Sequence, residues 1–391
     1  MRVTPLQPAL SNRHDGPAVI VGGGPAGSAA AAEIAAAGRP VTLIERLSGP
    51  ADKVCGDFLS AKAVEALRQL GVDPVQYGGE PITGFRLVHG SCMAETALPF
   101  LAFGLTRWTL DEALLGRVAE LGVRVLRGAT ARGLSACANG IRARLDPVGD
   151  VAGGAVFLAT GKHDLRQTAR PNRAGGPVGW KMYYRLSPAQ YAALRGCIEL
   201  VLFPGGYAGL QCVEDGSTVL CLLTSRRWLA AGAAGPGDVL DRLAECAPHL
   251  QTRLRGATPI LPRPLAIAGL PYGYLFHPGR RGTDRPDLDL ATRSGLFRIG
   301  DQFGVIPSFT GDGVALALQS GASAARAWLA GETAAAYHRR MRRHLRGRMI
   351  LATALHQGCM TPALQPWLAR IARANPAVIR TLARATRLHA A

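Results

Sequence analysis

Lysine is almost missing from this chain: only positions 53, 62, 162 and 181 carry it, so the 45 basic residues, set against 27 acidic ones, are nearly all arginine. A formal net charge of +18 ordinarily points to an anionic partner such as a membrane or an acidic carrier protein. An arginine skew in an Ala/Gly-rich chain also follows from codon bias, which weakens that inference, and no nucleic-acid partner is predicted. Acidic residues stop altogether at Glu332, whereas Arg339, Arg340, Arg342, Arg343, Arg346, Arg348, Arg370, Arg373, Arg380, Arg384 and Arg387 follow it. That segment reads either as a solvated basic helical tail or as a surface for anionic lipid or an acyl carrier protein. The eight cysteines (55, 92, 137, 197, 212, 221, 246 and 359) contain no C-x-x-C pair and no zinc spacing. They are expected to be reduced thiols, with neither a disulfide frame nor a metal site. No strongly apolar run reaches about eighteen residues, so no transmembrane helix is predicted. Met1 to Gly16 has no apolar core leading to a small-residue cleavage site, so no secretory signal is expected. The expected location is the cytoplasm, with peripheral membrane contact as the alternative. Internal repeats and low-complexity linkers are also lacking. With 48% hydrophobic and 18% charged residues the composition is globular, and 391 residues suggest two subdomains or a domain with a cap.

What the chain does have is Gly22-Gly-Gly24-Pro25-Ala26-Gly27, which leaves the apolar run Ala18-Val-Ile-Val21 and is followed eighteen residues later by Glu45. Gly22 permits a tight turn out of a strand, Gly24 lets backbone approach a pyrophosphate, and Gly27 lets the next helix pack closely on the sheet. Such a helix turns its N-terminus to the phosphates. Small residues from Ser28 to Ala37 carry it, Gly38 ends it, and the strand Val41 to Ile44 delivers the Glu45 carboxylate, followed by Arg46, to a ribose diol. The unit reads as a site for an adenine dinucleotide. Only one such fingerprint is present, so no separate nicotinamide domain is predicted.

Further along, apolar spacing predicts helices over Ala61 to Leu70 and Thr109 to Leu121, the latter leading to a strand at Val123 to Val125. Val156 to Ala159 reads as a buried strand ending at Thr160-Gly161. Between about 178 and 224 the pattern changes to a meander, with strands at Trp180 to Leu186, Ile198 to Phe203, Tyr207 to Val213 and Thr218 to Leu223. Leu296 to Ile299 resumes the first domain, a helix follows from about Gly313 to Leu329, and terminal helices punctuated by Pro362, Pro366 and Pro376 begin at Ala334. The fold class is thus α/β: a doubly wound, Rossmann-like dinucleotide domain (1–80, 101–170 and 291–332), an inserted antiparallel-sheet substrate domain (81–100 and 171–290) and a basic helical C-terminal region (333–391). A second marker is Gly300-Asp301 through Pro307, Gly311, Asp312, Gly313 and Val314. Asp301 ending a strand can reach the ribityl chain of a flavin, and a helix starting near Gly313 points its positive end at the ring, where reduction accumulates charge.

With these residues the chain resembles the flavoprotein superfamily that includes geranylgeranyl reductases, class A aromatic hydroxylases and flavin-dependent halogenases. The resemblance rests on Gly22 to Gly27 with Glu45, on Lys53-Val-Cys55-Gly56-Asp57-Phe-Leu-Ser60, on Thr106-Arg107 with Leu110-Asp111-x-x-Leu114, on Ala159-Thr-Gly161, and on Gly300 to Gly313. It implies noncovalent FAD of the glutathione-reductase-like binding mode, with the isoalloxazine at the junction with the antiparallel sheet. It also implies that Arg107 lies near the phosphates or ribityl, and that Cys55-Gly56 and Gly161 line the cofactor. Cys55-Gly56 and Gly304 look like the geranylgeranyl reductase branch, but the Tyr-x-Trp-x-Phe signature of prenyl reductases is replaced by Phe203-Pro-Gly-Gly-Tyr207-Ala-Gly-Leu210. No Trp-x-Trp pair of halogenases is present, and the hydroxylases' Asp-Gly motif is altered to Ala159 through Asp164.

The reading therefore leans to a monooxygenase that uses NAD(P)H and O2 to hydroxylate a hydrophobic aromatic, polyketide-like or isoprenoid substrate. A flavin-dependent C=C reductase is the alternative, and a non-catalytic flavin-binding protein a third. Cys55 and Tyr207 are the candidate catalytic groups. Tyr207, Tyr272, Tyr274 and Phe276 are expected to wall the substrate pocket, or else to be core aromatics. His163 and Asp164 form either an acid/base pair or a loop pair outside the site.

Overall fold

All four residues of the strand Ala18–Val21 are apolar and buried, as a strand covered on both faces must be. The computed structural model describes residues 16–138, 140–171, 176–230, 236–278 and 295–387; the N-terminal stretch weighed as a leader lies outside these except for Gly16. The principal elements in chain order are β1 (Ala18–Val21), α1 (Pro25–Ala36), β2 (Val41–Glu45), α2 (Ala61–Gln69), β3 (Glu80–His89), β4 (Cys92–Gly104), α3 (Arg107–Glu120), β5 (Arg124–Arg127), β6 (Thr130–Cys137), β7 (Gly140–Asp146), β8 (Gly149–Gly153) and β9 (Ala155–Leu158). They continue with β10 (Val178–Arg185), β11 (Cys197–Phe203), β12 (Gly206–Cys212), β13 (Thr218–Thr224), β14 (Leu296–Arg298), α4 (Gly313–Leu329), α5 (Ala334–Met360), α6 (Gln365–Ala374) and α7 (Pro376–Ala385).

Strands β14-β9-β1-β2-β5 form a parallel sheet in that order. Chain direction across the sheet reverses at β1, so a crevice opens at its carboxyl end, at Gly22, the place where open α/β sheets bind ligands. Helices α1 and α4 pack on one face with almost no side chain between them. A Cβ on Gly27 would lie 1.9 Å from the Gly22 carbonyl oxygen, and one on Gly321 would lie 2.0 Å from that of Ala26. The other face is covered by an antiparallel sheet, β6-β7-β8, for which the sequence reading had no counterpart. Its signal is nonetheless strict alternation: Ile141, Ala143 and Leu145 are buried against β1 and β9, while Arg142, Arg144 and Asp146 face out.

The second layer is a nine-stranded sheet with core order β10-β13-β12-β11-β3-β4. It departs from a simple meander in two ways. Helix Pro188–Leu194 carries the chain from β10 across the sheet to β11, and β11 runs parallel to β3 instead of antiparallel. Helix α3 begins at Arg107, two residues before the expected Thr109, because the Thr106 side chain caps it by accepting from the Thr109 backbone N–H. The C-terminal region is not a wholly solvated tail. Tyr337, Met341, Leu345 and Met349 of α5 are buried in the main core, and Gln365 at the start of α6 donates to the carbonyls of Phe203, Gly206 and Cys359.

Gly321→Ala is expected to separate α1 from α4 and to cost about 1–3 kcal/mol of stability, read as a lower melting temperature. An unchanged transition would contradict the backbone contact. In the sheet layer, Glu199 is fully buried and accepts from Arg253, Arg86 and His249. Burial favours its neutral form, but the hydrogen bonds and charges of His249 and Arg253 outweigh this and hold its pKa at about 2. A depressed carboxyl contributes stability above its ordinary value near 4.5, and that contribution is lost as pH falls toward 2. Glu199→Gln should therefore be less stable at neutral pH and show a flatter loss of stability across that window in acid unfolding curves.

Candidate active site

A cavity of about 870 Å3 runs from the carboxyl end of β1 between the two sheets to helices α5, α6 and α7. That volume is at the upper end for small-molecule and cofactor sites. At its first end stand Gly22, Gly24, Pro25, Ala26, Glu45 and Arg46. Gly22 has φ +114°, and a Cβ there would meet the Ala159 carbonyl oxygen at 2.3 Å, so only glycine makes this turn. The Glu45 carboxylate is buried and accepts from the N–H groups of Gly23 (2.8 Å) and Leu47 (3.0 Å). Arg107 stands beside the turn: a Cβ on Gly24 would lie 3.2 Å from its guanidinium. It grips Asp111 in two bonds of 2.7 and 2.8 Å, and Lys53 bonds the same carboxylate at 2.6 Å. Burial opposes the Asp111 charge, yet Arg107 and Lys53 together hold its pKa below the usual carboxylate range.

The middle of the cavity is lined by Cys55, Gly56, Gly161, Gly300, Asp301, Gly311, Gly313 and Val314. Asp301 is held through its backbone, its carbonyl accepting from Arg170 at 2.7 Å. The loop 53–57 is tied down by three of the chain's four lysines. Besides the Lys53 bond, Lys162 donates to the Val54 carbonyl, and Lys181 donates to the Lys53 carbonyl (3.0 Å) and to Asp57 (2.6 Å). Tyr183 donates to the same Asp57 oxygen at 2.6 Å. Burial raises the Asp57 pKa, with Lys181 pulling against it. The far end is apolar, with Phe85, Leu87, Ile198 and Leu200 facing Leu355, Leu368 and Ile379. Tyr207 and Tyr272 stand where the two parts meet. The Tyr207 hydroxyl is 2.8 Å from Ser308 Oγ, and both tyrosine rings pack on His356.

Five sequence expectations fall elsewhere. Gly27 and Pro307 are off the cavity wall; Gly27 serves helix packing, and the Pro307 carbonyl accepts from Thr310 within its own turn. Asp312 is buried and turned to Arg387 at 2.6 Å. Tyr274 packs against the main core, and Phe276 is buried there between His338 and Arg298, so these two aromatics are core and not pocket wall. His163 and Asp164 both line the cavity but form no pair: His163 meets Arg46 at 2.8 Å, while Asp164 accepts from Arg170 and Gln302. Burial first, then Arg46 and Arg170, keep the His163 pKa below its ordinary value. Lys181, Ser308 and His356 were not singled out from sequence, and Lys53, Asp57 and Asp111 entered only within the motifs that carry the resemblance, with no role assigned. The scarcity of lysine was the available signal for two of them.

Residues 15–152 match the family of FAD binding domains. Menaquinone reductase of Mycobacterium tuberculosis is 38% identical over 118 residues, 29% of this chain and 29% of that protein. That of Mycolicibacterium smegmatis is 34% identical over 115 residues, 28% of each chain. The match thus spans less than a third of the length of these curated relatives. Among solved structures, a flavin-dependent brominase superposes with TM-score 0.76 at 17% identity, over 94% of this chain and 92% of that one. A geranylgeranyl bacteriochlorophyll reductase-like protein from Thermoplasma acidophilum gives TM-score 0.69 at 18% identity, over 92% of each chain.

The cavity fits FAD on its own geometry. Helices α1 and α4 both begin on its wall, at Gly24-Pro25-Ala26 and Gly313-Val314, and neither N-terminus has a side-chain cap. Their N–H groups are thus left to an anionic or hydrogen-bonding ligand. Among the described residues, no atom beyond the adjacent chain lies within 4 Å of a Cβ placed on Gly56, Gly161 or Gly313, which leaves backbone open to the cavity. Glu45→Ala is expected to weaken FAD binding at least about tenfold in a fluorescence titration of the apoprotein, because the Gly23 and Leu47 amides lose their shared acceptor; an unchanged Kd would remove Glu45 from the cofactor site. An FAD binding domain matched at residues 15–152 is thus set within a fold that this chain shares with those two solved structures.

Proposed function

We propose that the protein reduces a carbon–carbon double bond in an elongated lipophilic substrate, of the prenyl-chain or prenylated-quinone class, with FAD as cofactor and NAD(P)H or an electron carrier as the external reductant. The observation that carries this reading is the continuity of the cavity, which passes from the turn at Gly22 to a chamber walled by leucine, isoleucine and phenylalanine. The name of the mycobacterial relatives supports reduction over oxygen insertion. The sequence-based preference for hydroxylation rested on the missing prenyl-reductase aromatic signature. The segment that replaces it still supplies Tyr207 to the cavity wall, joined there by Tyr272, and we weigh that aromatic lining with the relatives' name above the missing signature.

When bound, the flavin would supply the hydride. The protein's own residues then have three tasks. Glu45, Arg107 and the two helix N-termini hold the cofactor. The apolar chamber orients the chain and excludes water. The second hydrogen would arrive as a proton, a role that we assign to the Tyr207 hydroxyl on the cavity wall, hydrogen-bonded to Ser308. Burial raises the Tyr207 pKa well above its ordinary value, so the phenol stays protonated through the neutral range. Cys55 borders the same cavity and is the other candidate donor.

With reduced enzyme and a panel of prenyl-chain and quinone substrates, turnover is expected to proceed without oxygen and to add two hydrogens to the product by mass spectrometry. Product that forms only in air and carries an added oxygen atom would overturn the reductase reading in favour of hydroxylation. Tyr207→Phe is expected to lower kcat about a hundredfold with KM little changed. A loss of that size in Cys55→Ser instead would move the donor role to the thiol.

A further inference from the structure

Helix α6 has apolar residues on two sides. Leu368 and Ala372 face inward and line the cavity. Leu364, Trp367 and Ile371, spaced by three and four residues, form a stripe that is 48, 61 and 51% exposed. A soluble helix ordinarily turns such a stripe to the core, and contiguous large apolar groups in water mark a contact surface. Ile371 belongs to both sets: it is a wall residue of the cavity and half exposed. The cavity is therefore one side chain from solvent at this point. Helix α7 also lines the cavity, with Val378, Ile379, Leu382 and Ala383, and exposes Arg380 and Arg384 in place of an apolar stripe.

Helices α6 and α7 contribute charge of only one sign to this face. Arg370 and Arg373 flank the stripe, the Arg370 guanidinium lies 5.6 Å over the Trp367 ring, and no carboxylate side chain occurs anywhere after Glu332. Two copies of the chain meeting here would bring these arginines together, which disfavours self-association. An acidic carrier protein would satisfy the arginines but would need an apolar patch matched to Leu364, Trp367 and Ile371 beside its charges. An anionic bilayer satisfies both: arginines meet headgroup phosphates, and an indole with neighbouring aliphatic groups enters the interface.

We infer that α6 and α7 dock the protein on an anionic membrane through Leu364, Trp367, Ile371 and the adjoining arginines, and that the lipophilic substrate enters the cavity from the bilayer between these helices. The inference rests on the lipophilic substrate class proposed above. It adds the route by which that substrate arrives, and it gives a reason for a half-exposed apolar residue, Ile371, in the cavity wall beside an exposed apolar stripe.

The test uses the full-length holoprotein, vesicles of equal parts phosphatidylglycerol and phosphatidylcholine, and vesicles of phosphatidylcholine alone. The wild type is expected to co-sediment with the anionic vesicles, more weakly as salt rises, with a blue shift of tryptophan emission. It is expected to bind the neutral vesicles at least about tenfold more weakly. Leu364→Ser/Trp367→Ser should lose binding about tenfold, and Arg370→Gln/Arg373→Gln by a similar factor. Neither pair lies on the cavity wall, so turnover of a short-chain, detergent-dispersed substrate should match the wild type in both variants. Vesicle binding equal in wild type and variants, or binding to an acidic carrier protein with none to vesicles, would overturn the docking surface and leave the reductase reading standing. Normal vesicle binding without turnover of any lipophilic substrate would instead overturn the reductase reading. The docking surface would survive that result.

Discussion

Asp57 and Lys181 meet at 2.6 Å with no exposure of either side chain, and this pair joins the two halves of the molecule. Asp57 lies on the loop that leaves the dinucleotide domain, while Lys181 is on β10 of the large sheet. Removing two charges from water costs several kcal/mol per ion, which a single contact does not repay. Here Tyr183 adds a second donor to the carboxylate, and the same lysine also bonds the Lys53 carbonyl. Asp57 is one of two described non-glycine residues with positive φ, at 53°, a conformation that the surrounding bonds must maintain. The pair fixes the segment that presents Cys55 and Gly56 to the cavity, so the relation between cofactor domain and substrate sheet depends on it.

A different constraint sets the first domain: the absence of side chains. Gly27 and Gly321 let α1 approach both the β1 turn and α4 to backbone contact. Both helices begin at the same cavity, and neither N-terminus is capped by its N-cap side chain. Larger residues at either position would move a helix end away from the ligand it is placed to meet.

The large sheet alone would form an open surface. Helices α5, α6 and α7 turn it into a cavity by laying apolar residues over β3, β11 and β12, anchored by Gln365 on three carbonyls. The arginine-rich segment thus does two things at once. Its inner faces are core and cavity wall, and its outer faces carry the charge.

Much of this was legible in the chain itself. The buried strands, α1, α4 and the turn at Gly22 follow from local rules, because a tight turn, a closely packed helix and a buried strand each demand particular residues at short spacing; that Gly22, Glu45, Asp301 and Gly313 share one cavity was implied by the resemblance to flavoproteins. The alternation in β7 was equally readable and was missed. Sequence by itself could not separate Tyr207 and Tyr272, which face the cavity, from Tyr274 and Phe276, which do not, since all four are aromatics in strand-like context. Nor could it bring Lys181 to Asp57 across 124 positions, or pair Asp312 with Arg387. Local spacing determines which faces are apolar and where the backbone can turn. Which side chain meets which across the chain is decided only when the sheets and helices pack, because burial gives a charge its partner and an aromatic its role.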